Sequence, residues 1–418
     1  MKIIVAHPGR QHSYRVATAL KESGMLYKYA TTVYNKSSSL YMRILRLFLN
    51  KDNLSRASRR VCPLLNDEDI VQFCELEALI HLALIRIDFT HKLSGAYGRY
   101  ISRKFQRRLA RYIIKEKIDA VISYDTNSEI LFSILREKAP EVIRIMDNAH
   151  PNRHFLYYDY KANWGCVEEF EQTLFACGYL TNLNIAKAFG EEVKLSNYHI
   201  VASSYSKKAL EFEGIHSNSI YKIPYGVDKN KFITSNRDFE RGKINVLFLG
   251  EVNQRKGIRQ VLESAKQLSS ENIRFNIIGS GTNHCTHLYQ SYYTYADFKG
   301  YVSYDELLKQ LSVNHVFLFP TMGEGFGLVL LEAMAAGMPV ITTNNCAGAD
   351  IVNSGENGFI VPVGGTKEII DHLLYLSENP NELKRMSENA RKTAIKYTWE
   401  KYNQGIVCCV NDIVESKA

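Results

Sequence analysis

The sequence predicts an α/β protein made of two doubly wound domains facing each other across a cleft. Three observations predict it. Short apolar runs alternate with amphipathic stretches over the first 220 residues, the same rhythm restarts at Lys243, and most runs of the second half end in a glycine or proline turn. The length of 418 residues agrees, because domains of roughly 150 residues give two or three. With 45% hydrophobic and 23% charged residues, the composition is that of an ordinary globular protein, not of a disordered or fibrous chain.

The elements follow in order. Ile3 to Ala6 is too short for the core of a signal peptide and runs into His7, Pro8 and Gly9, so it reads as a first strand. A helix capped by Ser13 comes next. Ala120 to Ser123 and Val142 to Met146 have strand length and end in polar or turn residues. Pro224, Gly226, Asn230 and Asn236 give the stretch Ile223 to Lys243 the chemistry of a linker, which separates a domain over residues 1–222 from one over 223–395. In the second domain the runs Ile244 to Leu249, Arg274 to Ile278, His315 to Phe319, Val340 to Thr343 and Phe359 to Val361 read as strands. Ile258 to Leu268, Tyr304 to Leu311, Leu328 to Ala336 and Lys367 to Leu376 read as the helices between them.

Charge is unevenly spread. Residues 1–120 hold 22 Lys and Arg against 10 Asp and Glu, which exceeds the whole chain's net charge of +8. The excess lies in Lys36 to Arg60, interleaved with Tyr41, Ile44, Leu45, Leu47 and Phe48, and in Arg99 to Lys117. A basic face beside an apolar one suits an anionic membrane surface or an acidic acceptor; a solvated helix surface is the plainer alternative. No nucleic-acid motif accompanies the patch, so no nucleic-acid partner is expected. No window reaches the ~18 consecutive apolar residues of a spanning helix. Eight cysteines without a CxxC pair read as thiols of a reducing compartment, hence a cytoplasmic location, with peripheral contact at the inner face of the membrane if the basic segments bind lipid.

Open α/β sheets bind ligands in the loops beyond their strands. The most informative one is Thr321 to Gly327, between a strand ending at Pro320 and the helix from Leu328. Its alternating glycines let a backbone approach a ligand closely, and the free amides of a helix start favour a phosphate. Glu324 lies in this loop; Glu332, eight residues on, is the only charge in an otherwise apolar helix and needs partners such as sugar or ribose hydroxyls. The alternatives are a helix-start acid at Glu324 and a partly exposed surface glutamate at Glu332. Gly9 and Arg10 follow the first strand and are candidate acceptor-binding residues, or a plain strand-to-helix turn. Asp67, Glu68 and Asp69 spell a DxD triplet, but they follow no clear strand and read as a solvated acidic turn, so no metal is expected. No GxGxxG stands at the first strand-to-helix turn, which counts against a dinucleotide enzyme.

The run GEGFGLVLLEAMAAGMPVI from Gly323 and the later NGFIVP from Asn357 resemble the donor domain of retaining glycosyltransferases of family 4. VASSYSKKALEFEGI, IPYGVD, FLGEVNQRKGI, FNIIGSG, FKGYVSYDELL and TWEKY agree in order, so the resemblance covers about Val201 to Tyr402. It implies the GT-B fold of two Rossmann-like domains, with residues 396–418 crossing back to complete the first and Trp399 at the crossing. It implies a nucleotide-diphosphate sugar as donor, UDP or GDP favoured, with no cofactor required, and a glycan or lipid-linked hydroxyl as acceptor, in cell-envelope polysaccharide or lipopolysaccharide biosynthesis. Arg255 and Lys256 would neutralise the departing diphosphate, although Glu251 stands where many relatives have the arginine. Glu324 would sit by the donor sugar and Glu332 would hold the ribose. Gly250, Val302 and the amides of Gly325, Phe326 and Gly327 would line the donor site, and His150 would contact the sugar from the first domain. Two rivals remain: a sugar-nucleotide epimerase or phosphorylase on the same architecture, and a membrane- or polyanion-binding protein without catalysis.

Overall fold

The computed structural model describes residues 1–9, 12–36, 39, 60–88, 92–162, 168–176, 182–232, 237–282 and 285–416. Arg10 and nearly all of the first basic segment, 37–38 and 40–59, lie outside them.

Two parallel sheets form the frame. The first has the order β3-β2-β1-β4-β5-β6-β7, with β1 at Ile3–Ala6, β2 at Leu26–Thr31, β3 at Ile70–Gln72, β4 at Ala120–Tyr124, β5 at Ile143–Asn148, β6 at Tyr198–Val201 and β7 at Ile220–Lys222. The second has the order β10-β9-β8-β11-β12-β13, with β8 at Ile244–Leu249, β9 at Ile273–Ile278, β10 at Asp297–Gly300, β11 at Val316–Phe319, β12 at Val340–Thr342 and β13 at Gly358–Ile360. Central strands such as IIVA in β1 and VFLF in β11 are buried throughout, because helices cover both faces of a parallel sheet. In each sheet the winding reverses at one place, between β1 and β4 and between β8 and β11. Loops leaving those strands diverge to opposite faces and open a crevice, which is where ligands bind in such sheets.

The C-terminal helix Trp399–Glu415 returns to the first unit. Ile406, Val410 and Ile413 are fully buried in one apolar cluster with Ile3, Val5 and Leu20, and the Arg15 guanidinium lies 4.5 Å from the Trp399 ring. The helix of 258–267, and those at 304–313, 328–335 and 366–378, fall where the sequence places them, within three residues at each end. The first helix begins at Ser13, but its cap position is His12; the Ser13 hydroxyl is buried against the Tyr29 hydroxyl at 2.9 Å instead of capping amides. β2, β3, β6, β7 and β10 were not foreseen.

One glycine fixes the geometry that matters most. Gly257 has φ +77, and a Cβ there would stand 2.0 Å from the carbonyl oxygen of Pro320. Only glycine lets the turn after β8 lie against the end of β11. Gly257→Ala combines left-handed strain with overpacking and is expected to cost about 2–4 kcal/mol, read as a lower urea midpoint at unchanged slope.

Candidate active site

The turn Gln254–Lys256 is capped by Asn253, whose side chain accepts the Lys256 amide at 3.2 Å. It is sewn to the loop after β11: the Met322 amide donates to the Arg255 carbonyl at 2.8 Å and the Thr321 hydroxyl to the same oxygen at 2.9 Å. This stitching brings three predicted residues together. Glu324 Oε2 accepts from Arg255 Nη1 at 2.9 Å and from Lys256 Nζ. The three side chains are only 8%, 12% and 13% exposed for Arg255, Lys256 and Glu324.

Burial would raise the Glu324 pKa, yet the charges of Lys256 and Arg255 outweigh it and hold the carboxyl at about 2. Burial also lowers the Lys256 pKa, against the pull of Glu324. One carboxylate thus faces two cations in a poorly hydrated crevice. Lys256 Nζ also lies 5.0 Å from the Phe319 ring centroid. A phosphate arriving here would meet two positively charged side chains.

The glycine loop is held from the other unit. Ser203 and Ser206 donate their hydroxyls to the Gly325 carbonyl, and the Tyr160 hydroxyl lies 3.4 Å from the Gly323 carbonyl. A Cβ on Gly325 would stand 2.1 Å from the Ala149 carbonyl oxygen. The bare backbone at Gly325 therefore accommodates the neighbouring domain, not only a ligand as its sequence suggests. The Phe326 ring is buried edge-on against Tyr225, centroids 5.3 Å apart, and does not face solvent. Asn345 donates its amide to the Met322 carbonyl at 2.7 Å and to Asp159 at 2.8 Å, another tie between the units.

Across the crevice, His150 follows β5 with its side chain 44% exposed and Nδ1 3.8 Å from Asp125 Oδ2. Burial pushes the Asp125 carboxyl up, while His150 and the Ala149 amide, 3.3 Å from Oδ1, pull it down. The loop carrying Asp125 is pinned by Glu192, which accepts the amides of Thr126, Ser128 and Glu129 at 3.0, 2.8 and 3.1 Å. A cavity of about 100 Å³ opens here, lined by Asp125, Asn148, His150, Arg153 and Glu192 among others. Beneath it, His12 Nε2 is 3.0 Å from Asp147 Oδ2 and 3.3 Å from the Tyr225 hydroxyl. Burial lowers the His12 pKa and Asp147 raises it; the net shift is upward.

Two buried glutamates impose opposite pH dependences. Burial raises Glu192 from 4.5 to about 7 despite its three amide bonds, so its contribution to stability is full below pH 4.5 and is lost as pH rises through about 7. Glu324, depressed to about 2, contributes above pH 4.5 and loses that contribution as pH falls towards 2. Thermal melts between pH 4.5 and 7 are expected to show a stability decline in the native chain that is smaller in Glu192→Gln.

Of the remaining predicted residues, Gly327 caps the Leu328–Ala335 helix beside the triad, where a Cβ would stand 3.6 Å from Glu324 Cγ. Glu332 sits on the Leu328–Ala335 helix, half-buried and, among the described residues, without a side-chain hydrogen bond; burial raises its pKa and Lys231 lowers it. Val302 is half-buried just beyond β10, against the large apolar cluster. Gly250 directly follows β8 and donates its amide to the Ile278 carbonyl at 3.0 Å. The Gly9 amide donates to His7 Nδ1 at 2.9 Å, in the loop after β1. Arg10 lies outside the described residues. The acidic triplet forms the short turn Asp67–Asp69, with Asp69 paired to Lys21. Sequence reasoning missed Asp125, although an acid directly after a strand carried a signal. It also missed Glu192, Asp159, Ser203 and Asn345, which only the chain's folding brings to the crevice.

Comparisons with known proteins bear on the fold and on the second half of the chain. Residues 230–393 match the family described as Glycosyl transferases group 1. The capsular polysaccharide biosynthesis glycosyltransferase CapM of Staphylococcus aureus is 31% identical over 183 residues, covering 42% of this chain and 48% of CapM. The alpha-monoglucosyldiacylglycerol synthase of Acholeplasma laidlawii is 24% identical over 208 residues, 48% of this chain and 52% of the synthase. The matches span about half the length of these curated relatives. Among solved structures, the sucrose-phosphate synthase of Thermosynechococcus elongatus aligns over 100% of both chains with a TM-score of 0.68 at 15% identity. Anabaena HepE in complex with UDP-glucose aligns over 99% of this chain and 100% of its own with a TM-score of 0.61 at 14% identity. At those identities the likeness establishes the fold alone. The two parallel Rossmann-like sheets and the crossing C-terminal helix are those of the GT-B fold, and within it residues 230–393 match the family described as Glycosyl transferases group 1.

Proposed function

We propose that the protein is a retaining glycosyltransferase that moves a hexose-type sugar from a nucleotide-diphosphate donor, UDP or GDP, to a hydroxyl of a glycan or lipid-linked acceptor. The observation that carries this reading is the convergence of Arg255 and Lys256 on Glu324 where the second sheet reverses its winding. The cation pair receives the diphosphate and stabilises the charge that develops as it departs. Glu324 then turns from its cations towards the donor sugar, binding its hydroxyls or the positive charge growing at C1. Glu332, a half-buried carboxylate, gains two donors when it accepts a ribose diol. The amides of Gly325, Phe326 and Gly327 point the phosphate or sugar, the backbone at Val302 meets the base, and Gly250 leaves room beside β8. From the other unit His150, with Asp125 behind it, meets the sugar, and Gly9 and Arg10 meet the acceptor.

In the retaining step the bond from C1 to the phosphate oxygen breaks and a bond from C1 to the acceptor oxygen forms on the same face. The leaving phosphate takes the acceptor's proton, so no covalent enzyme intermediate is required. Relatives named for capsular polysaccharide biosynthesis and for alpha-monoglucosyldiacylglycerol synthesis support a cell-envelope acceptor.

A thermal-shift screen with UDP-, GDP-, ADP- and dTDP-sugars tests the donor, because a ligand bound only by the folded state raises its stability. One or more nucleotide sugars are expected to raise the midpoint, and no response to any would overturn the reading. With the responding donor, transfer is expected to persist in EDTA, since side chains supply the positive charge; abolition by EDTA would contradict the roles given to Arg255 and Lys256. A donor sugar altered in the absence of acceptor would favour an epimerase.

A further inference from the structure

The helices Glu75–Ile87 and Lys92–Glu116 form an antiparallel hairpin on the first unit, and we infer that its outward side is a docking surface for an anionic lipid bilayer. The first helix, ELEALIHLALIRI, has the composition of a core helix, yet Ala78 is its only buried residue. Leu76, Ile80 and Ile87 are 47%, 44% and 69% exposed. With Ala83, also exposed, they are spaced by four, three and four residues and share one face. Lone exposed apolar residues are ordinary, but a complete helical stripe is not.

The second helix adds charge on the same side. Lys104 Nζ meets Glu77 Oε1 at 2.5 Å and His81 Nε2 meets the Ser94 carbonyl at 2.9 Å, which marks the seam of the hairpin. At about 100° per residue, the stripe Leu76, Ile80, Ala83 and Ile87 lies about 60–120° to one hand of Glu77. Arg99, Arg103 and Arg107, all exposed, lie about 60–140° to the same hand of Lys104. In antiparallel helices an equal rotation from the seam reaches the same side of the pair. Ala78, Ile101, Phe105 and Leu109, on the other hand of the seam, are the buried residues that fix the hairpin to the domain.

An apolar stripe flanked by an arginine ridge matches a surface that is hydrocarbon beneath and phosphate above. A nucleic acid would use the arginines and leave the apolar stripe without a partner. Among the described residues no helix is long and apolar enough to cross a membrane, so the contact is peripheral.

Co-sedimentation of the full chain with vesicles tests this, using phosphatidylcholine alone or mixed with phosphatidylglycerol. Binding is expected to the mixed vesicles, weakly or not at all to phosphatidylcholine, and to decline with salt. Each arginine near such a surface is worth about fivefold, so Arg99→Gln with Arg103→Gln and Arg107→Gln should weaken binding about a hundredfold. Leu76→Ser with Ile80→Ser should weaken it even at low salt, and Ile80→Trp should show a blue-shifted emission on the mixed vesicles. All these side chains are exposed, and unchanged melting of each variant confirms that folding is intact. Equal binding by the arginine triple variant and the native chain, equal binding to both vesicle types, or self-association or binding to nucleic acid in place of lipid would overturn the inference. The nucleotide-sugar thermal shift is read on the same variants and should not change, so failure here is separable from failure of the proposed reaction.

Discussion

Glu324→Gln is expected to lower turnover by about 10²- to 10³-fold while binding of the free nucleoside diphosphate is kept or tightened. The carboxylate sits between Arg255 and Lys256 and accepts from both. Without its charge the donor sugar loses its anionic partner, but the cation pair no longer has Glu324 as a competitor for phosphate. The same change leaves two buried cations facing each other, and a buried ion pair that loses one member costs about 3–5 kcal/mol. The ligand-free variant should therefore melt well below the native chain and recover much of the difference when diphosphate is added. Steady-state kinetics and melts with and without UDP or GDP check both halves. Unimpaired turnover would remove Glu324 from the reaction.

Gly325→Ala is expected to reduce transfer by about 100-fold without unfolding either unit. The added Cβ would meet the Ala149 carbonyl at 2.1 Å and His150 Cα at 3.2 Å, and a clash between backbones cannot be relieved by a rotamer change. The domains must separate along this seam, which carries His150 away from the donor loop; a displacement of about 1 Å can cost that much in rate. Donor binding should survive, because Arg255, Lys256, Glu324 and Glu332 all belong to the second unit. Solution scattering should show a larger radius of gyration. At Gly323 the Cβ meets the Tyr160 side chain at 2.9 Å, so Gly323→Ala is the milder control. Equal activity in Gly325→Ala and the native chain would mean that closure at this seam is not needed.

The sequence was most readable where strands are central. β1 and β11 are continuous apolar runs because both faces are covered, β8 and β9 are mostly apolar, and the glycines and prolines that follow them flag the crevice loops. The outer strands carry no such run. β3 has three residues, two of them half-buried, and β10, with the sequence DFKG, has no buried residue. β2 buries only its second half, behind Tyr27 and Lys28. The convergence of Arg255, Lys256 and Glu324 in the second unit was legible because they stand within a few residues of strand ends. The first unit's share was not. Glu192 acts on a loop 63 to 66 residues earlier, and Ser203 on a carbonyl 122 residues later, so neither leaves a local pattern. Gly325 was read as room for a ligand because a sequence cannot show that a neighbouring backbone occupies that room.

The central claim is that Arg255 and Lys256 take the diphosphate of an activated sugar beside Glu324. A crystal structure with the nucleotide sugar that responds best in the thermal screen tests it most directly. The account expects the diphosphate within hydrogen-bond distance of both cations, the ribose diol on Glu332 and the sugar between Glu324 and His150. A diphosphate bound away from Arg255 and Lys256, with their contacts to Glu324 undisturbed, would contradict it.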